Sequence, residues 1–142
     1  MNEKPVQFFF EKQFALSERT RLREFIVSIF RKEKVPFKHL NYIFCSDQAL
    51  LDINRQFLQH DYETDVITFP MSEKNEPVEG EIYISIDRVR DNARTLGVPV
   101  KHELHRVIFH GALHLCGFRD KTKTQVTLIR AREDHYLRLF FK

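Results

Sequence analysis

The chain has 142 residues, of which 42% are hydrophobic and 30% charged. That is enough apolar material for a core at this length and excludes a disordered polyelectrolyte. Net charge is only +3, and the two cysteines, Cys45 and Cys116, form neither a CxxC pair nor a disulfide framework, which suits a reducing compartment.

Val6–Phe10 is a short aromatic run that predicts a strand. Ser17 is placed to cap a following helix, in which Leu22, Phe25, Ile26, Ile29 and Phe30 recur at helical spacing. Lys34–Pro36 breaks it, and Leu40–Phe44 predicts a second strand. Ser46 or Asp47 caps a helix to about Phe57, with Leu50, Ile53 and Phe57 on its inner face. Residues 59–64 are polar and loop-like. Asp65–Phe69 predicts a third strand stopped by Pro70, and residues 71–79 an exposed acidic loop. In residues 80–86, Ile82, Ile84 and Ile86 alternate with Glu81, Tyr83 and Ser85, the pattern of a half-exposed strand. Asp87 caps a helix to about Leu96, closed by Gly97. Pro99 opens a helix to about Cys116, where Gly117 supplies a left-handed stop. A last helix covers about residues 124–140. The interleaved elements suggest an α+β or mixed α/β sandwich with about four strands and about five helices, forming one domain, 1–142, with no repeat or linker.

Charge is unevenly distributed. Residues 1–46 carry 9 basic and 5 acidic side chains, residues 47–91 carry 4 and 11, and residues 119–142 carry 7 and 3. A basic face for nucleic acid is compatible with this, although charge alone is read as solvating helices. The N-terminus lacks the apolar stretch of a signal peptide, and no apolar run approaches membrane-spanning length, so a cytoplasmic protein is expected.

The informative segment is His110-Gly111-Ala112-Leu113-His114-Leu115-Cys116-Gly117-Phe118-Arg119-Asp120. Residues four apart on a helix lie about 40° apart around the axis, one turn above the other, so His110 and His114 can ligate one ion. Gly117 permits a sharp turn that returns Asp120 as a third, oxygen ligand. Two imidazoles and a carboxylate suit zinc, and three protein ligands leave a fourth position for water, as in catalytic sites. Leu104, Val107, Ile108, Gly111 and Leu115 form an apolar arc beside the histidines. Glu103 shares the face of His110 and is a candidate supporting group. His102 and His105 point elsewhere, and His39, His60 and His135 have no ligand partner at useful spacing. The spacing matches that of metzincin proteases with Asp for the third His, but Gly111 stands where they carry Glu as general base, which argues against peptide hydrolysis.

His110 through Asp120 resembles the signature of the YbeY-type endoribonucleases, the bacterial rRNA maturation factors. Ile53-Asn54, Asp61 with Thr64-Asp65-Val66-Ile67-Thr68-Phe69-Pro70, Gly80-Glu81-Ile82-Tyr83-Ile84-Ser85 and Glu103-Leu104 match further family segments in order. The resemblance implies a single-strand-specific, metal-dependent RNase acting in 16S rRNA 3′-end maturation and ribosome quality control. Its expected partners are single-stranded RNA and the ribosome, with neither DNA nor membrane. It also implies a four-stranded mixed sheet packed with helices around a central metal-bearing helix.

The sequence departs from the family twice. The usual third ligand is His where this chain has Asp120, which makes the site one charge more negative and bound water less acidic. Many members carry Arg directly after the aromatic near position 57, where Leu58 stands here; Arg55 lies one turn earlier. Arg119, Lys121 and Lys123 are candidates for holding phosphates. No dedicated base is evident, so metal-bound hydroxide or the RNA 2′-OH are the alternative nucleophiles. A zinc hydrolase of another class and a non-catalytic ribosome-associated module with a structural metal are the rival readings.

Overall fold

The structure, a computed structural model, describes residues 4–58 and 64–142; His60 and Asp61 lie outside the described residues. In chain order the elements are β1 (Val6–Phe10), α1 (Arg19–Lys32), β2 (Phe37–Cys45), α2 (Asp47–Leu58), β3 (Val66–Pro70), β4 (Val78–Ser85), α3 (Ile86–Leu96), α4 (Val100–Leu115) and α5 (Lys123–Phe140). The four strands form one mixed sheet in the order β1-β2-β4-β3. β1 and β4 both pair parallel to β2, and β3 pairs antiparallel to β4.

Strand alternation assigns the two faces of the sheet. Leu40, Tyr42 and Phe44 of β2 and Ile82 and Ile84 of β4 point into the main core, shared with α1, α3, α4 and α5. Cys45, Ile67, Phe69 and Tyr83 point the other way, into a small second core with Leu50 and Ile53 of α2. The isoleucine pattern of β4 therefore marks not a solvent face and a core face but two covered faces of unequal depth.

Four local expectations are corrected by tertiary context. Ser17 caps nothing: α1 begins after Glu18, in the left-handed region at φ 55°, with no side-chain cap. Asp87 is not the cap of α3; the buried Ser85 accepts the Arg88 N–H, while Asp87 pairs with Lys12 and accepts the Asp47 N–H at 2.9 Å. Ile86 accordingly opens α3 and does not end the strand. Phe57 does not face inward: it is 62% exposed. Elsewhere local chemistry holds, with Ser46 accepting the Ala49 N–H at the start of α2 and Gly97 closing α3 at φ 69°.

The axis of the fold is α4, whose residues 103–105, 107–109 and 111–113 are all buried. It lies so close to the sheet that a Cβ on Gly111 would come within 2.8 Å of Ile82 Cδ1 and 2.9 Å of its Cγ2. The Tyr42 hydroxyl, rising from β2, donates to the Ile108 carbonyl at 2.8 Å. This satisfies a buried hydroxyl and fixes the helix along its axis. On the outer side α1 and α5 are tied by Glu33, which accepts from Arg132 and from the Tyr136 hydroxyl.

Two outcomes are expected. Gly111→Ala forces Ile82 to move, and overpacking of about 1–3 kcal/mol outweighs the gain of about 1 kcal/mol in helix propensity. Thermal melting should fall by several degrees, and adding Ile82→Val should recover part of the loss. The second concerns Glu33. Burial opposes its ionisation, but the hydrogen bonds from Arg132 and Tyr136 outweigh it and hold the carboxyl below its ordinary value of 4.5. A depressed carboxyl stabilises the fold above the unfolded value, and that contribution disappears as pH falls through the folded value. Denaturant titrations should therefore show the wild type ahead of Glu33→Gln at neutral pH and the gap closing below about pH 4.5.

Candidate metal centre

The site forms where α4 ends. Gly117, at φ 109°, lets its N–H bond the His114 carbonyl at 3.0 Å while the Phe118 N–H reaches the Leu113 carbonyl at 3.1 Å. This paired closure reverses the chain after a helix. Four residues later α5 begins with a capping box: Thr122 accepts the Gln125 N–H, and Gln125 Oε1 accepts the N–H groups of Lys121 and Thr122. Residues 118–122 are thus pinned at both ends, and Asp120 is held over the last turns of α4.

His110, His114 and Asp120 meet there. Asp120 Oδ2 lies 3.2 Å from His114 Nε2 and 3.4 Å from His110 Nε2. The imidazole centroids are 4.5 Å apart at 82°, and one ligand atom from each of the three residues lies within 4.8 Å of the others. Asp120 is 41% exposed on its side chain, so the cluster opens to solvent.

A divalent ion fits this set, and the buried surroundings show why. His110 Nδ1 is 2.5 Å from Glu133 Oε2. A carboxylate accepts, so Nδ1 carries the proton and Nε2 turns its lone pair toward Asp120. Glu133 is fully buried and also accepts from Arg106 at 2.9 Å and Arg130 at 3.3 Å. Burial opposes its ionisation, but the hydrogen bonds from His110 and Arg106 and the Arg106 charge prevail and keep its carboxyl below the usual range. Arg106 in turn forks onto the buried Glu103. The support expected from Glu103 therefore reaches His110 at two removes, through Arg106 and Glu133. The carboxyl of Asp65, just before β3, is raised by burial, partly offset by the Arg106 charge.

Glu133 is the residue that spacing along α4 does not reveal. Its signal was present: it interrupts the inward stripe Ile129, Tyr136, Leu137 and Phe140 of α5, and a charge on an apolar stripe needs a partner. The other described histidines stay apart from the cluster: His105 bonds the Lys101 carbonyl at 2.7 Å, His102 stacks on Phe141, His39 bonds Asn41 and His135 lies against Tyr136. Arg119, Lys121 and Lys123 are exposed around Asp120, and Arg55 is exposed on α2. Position 111 faces Ile82, so the place of the metzincin general base is inside the core.

A groove of about 670 Å³ leads away from His114 and Leu115 between Pro36, Pro70 and the Ser72–Glu79 segment. No helix among the described residues is long and apolar enough to cross a membrane.

The family model described as Endoribonuclease YbeY matches residues 9–140. The chain is 51% identical over 140 residues to a protein of that name from Cytophaga hutchinsonii, covering 98% of each. It is 44% identical to the one from Flavobacterium psychrophilum, covering 95% of this chain and 96% of that one. A solution structure of a Thermotoga maritima protein superposes with a TM-score of 0.66 at 29% identity, covering 96% of this chain and 89% of that one.

Replacing Glu133 by Gln should leave the three ligands in place but free the His110 ring to rotate and change tautomer. Divalent-ion affinity, read by competition with a chelating dye, should fall roughly 10–100-fold.

Proposed function

This chain belongs to the endoribonuclease YbeY family, and from that membership we propose a single-strand-specific endoribonuclease that depends on a zinc ion held by His110, His114 and Asp120. It matures the 3′ end of 16S rRNA and serves ribosome quality control, as one domain over residues 1–142 working on ribosomal particles in the cytoplasm. The observation that carries the reading is the convergence of the three donor atoms at a solvent-open corner, with the His110 tautomer set by a buried carboxylate. Structural zinc sites close their fourth position, whereas this set has three protein donors among the described residues and an exposed Asp120.

Each group has a defined task. His110 and His114 offer Nε2, and Asp120 offers Oδ2. Glu133 keeps the His110 proton on Nδ1, Arg106 helps keep Glu133 charged, and Glu103 holds Arg106 in place. Arg119 and Lys121 flank Asp120, with Lys123 two residues further on, and attract the phosphodiester backbone to the site. The ion, when bound, supplies Lewis acidity toward a phosphate oxygen or a water. Asp120 in place of a neutral imidazole makes the donor set more anionic, which favours retention of a hard cation and leaves bound water a weaker acid than a three-histidine set would. A peptidase reading finds no support, because a Glu at position 111 would be driven into Ile82.

Elemental analysis of the purified chain should give one zinc per molecule. The wild type should cleave single-stranded RNA, spare casein and lose cleavage on chelation. His114→Ala should lose the ion and at least two orders of magnitude of cleavage. Cleavage by a metal-free His114→Ala protein at the wild-type rate would remove the proposal.

A further inference from the structure

Phe57 lies on the last turn of α2 with 62% of its surface exposed. Its ring is nevertheless held. It meets Phe69 at 6.2 Å and 80°, and Phe69 meets Tyr83 at 5.7 Å and 89°; both rings belong to the small core under α2. Two residues beyond Phe69, on the same face of β3, Met71 is 63% exposed. Its N–H bonds the Glu79 carbonyl, extending the β3–β4 ladder. An exposed aromatic packed on Phe69 and an exposed methionine just past Pro70 are therefore both displayed near one end of an edge strand.

Across that strand is the metal centre. Pro70 pairs with Gly80, where a Cβ would lie 3.0 Å from Leu115 Cδ1. Leu115 follows His114, and Pro70 and His114 line the same groove. Pro70 projects to the α4 face and its neighbours Phe69 and Met71 to the α2 face, as alternation requires. The exposed apolar pair and the metal ligands thus sit at the same end of β3, on opposite sides of a single edge strand.

Resting on the endoribonuclease reading above, we propose that Phe57 is a stacking platform for one nucleobase of single-stranded RNA, so that the bound strand bends around the end of β3 to bring its backbone to His110, His114 and Asp120. Base–aromatic stacking is tolerant of sequence and adds to the attraction of basic groups for the backbone in single-strand binding. A duplex keeps its bases stacked on each other and offers no free face. It is also too stiff and wide to fold about one strand of a sheet. The platform is therefore a determinant of single-strand selectivity.

The chain contains no tryptophan, so Phe57→Trp introduces a lone fluorophore at the platform. The metal-loaded full chain is titrated with a single-stranded RNA dodecamer and with the same dodecamer annealed to its complement. The single strand should quench the indole and the duplex should not. Phe57→Ala should raise KM for the single strand roughly tenfold or more with kcat nearly unchanged, the signature of lost uniform binding, and Phe57→Tyr should recover most of it. Melting of Phe57→Ala close to the wild-type temperature excludes unfolding as the cause. Equal quenching by both RNAs, no quenching, or an unchanged KM overturns the platform. An unchanged KM with a Phe57-dependent dimer in sedimentation overturns it in favour of a protein contact. If the wild type cleaves the dodecamer and Phe57→Ala matches it, only the platform falls. If the wild type neither binds nor cleaves it, the endoribonuclease reading falls and takes the platform with it.

Discussion

The close approach of α4 to β4 at Gly111 sets the geometry on which the site depends. With no side chain at that position, the helix settles directly on Ile82, and the next residues around its circumference have fixed destinations. His110 and His114 lie off the contact line and reach the open side, while Leu104, Val107 and Ile108 fill the core. The Tyr42 hydroxyl on the Ile108 carbonyl adds a directional restraint that apolar packing lacks. A helix free to roll by a few tens of degrees would separate its imidazoles from Asp120, because a side chain's reach is short compared with the arc it would travel.

Charge burial around the site follows the same logic. Glu103, Arg106 and Glu133 form a largely buried ionic group whose desolvation is offset because Arg106 bridges both carboxylates and Glu133 also accepts from His110 and Arg130. Such a group is a poor source of stability compared with apolar packing. Its value here is orientation: it terminates on the His110 ring and leaves one nitrogen free for an ion. The donor cluster of His110, His114 and Asp120 lies at the end of this group, and Asp120 makes that cluster more anionic than a third imidazole would.

Much of the fold and the ligand set is legible in the chain because the interactions concerned are local. Helical spacing alone places His110 and His114 one turn apart, and the need for positive φ explains Gly97 and Gly117. The same spacing argument failed for Phe57, since periodicity records which residues share a face and not how far the surface beneath extends. It failed also at Ser17 and Asp87, where a polar residue near a helix start had a rival neighbour or a distant partner.

The sequence by itself determined the number and order of elements, the central helix, the candidate donor triplet and the absence of a carboxylate at position 111. Only the tertiary structure decided that Glu133, 23 residues from His110, fixes the imidazole tautomer, that Gly111 is a packing requirement, and that Phe57 is displayed across the edge strand from the metal site. The division has a physical cause. Backbone hydrogen bonding and side-chain periodicity act over one or two turns, whereas the pairing of α4 with α5 and the sidedness of β3 depend on how the whole sheet is covered.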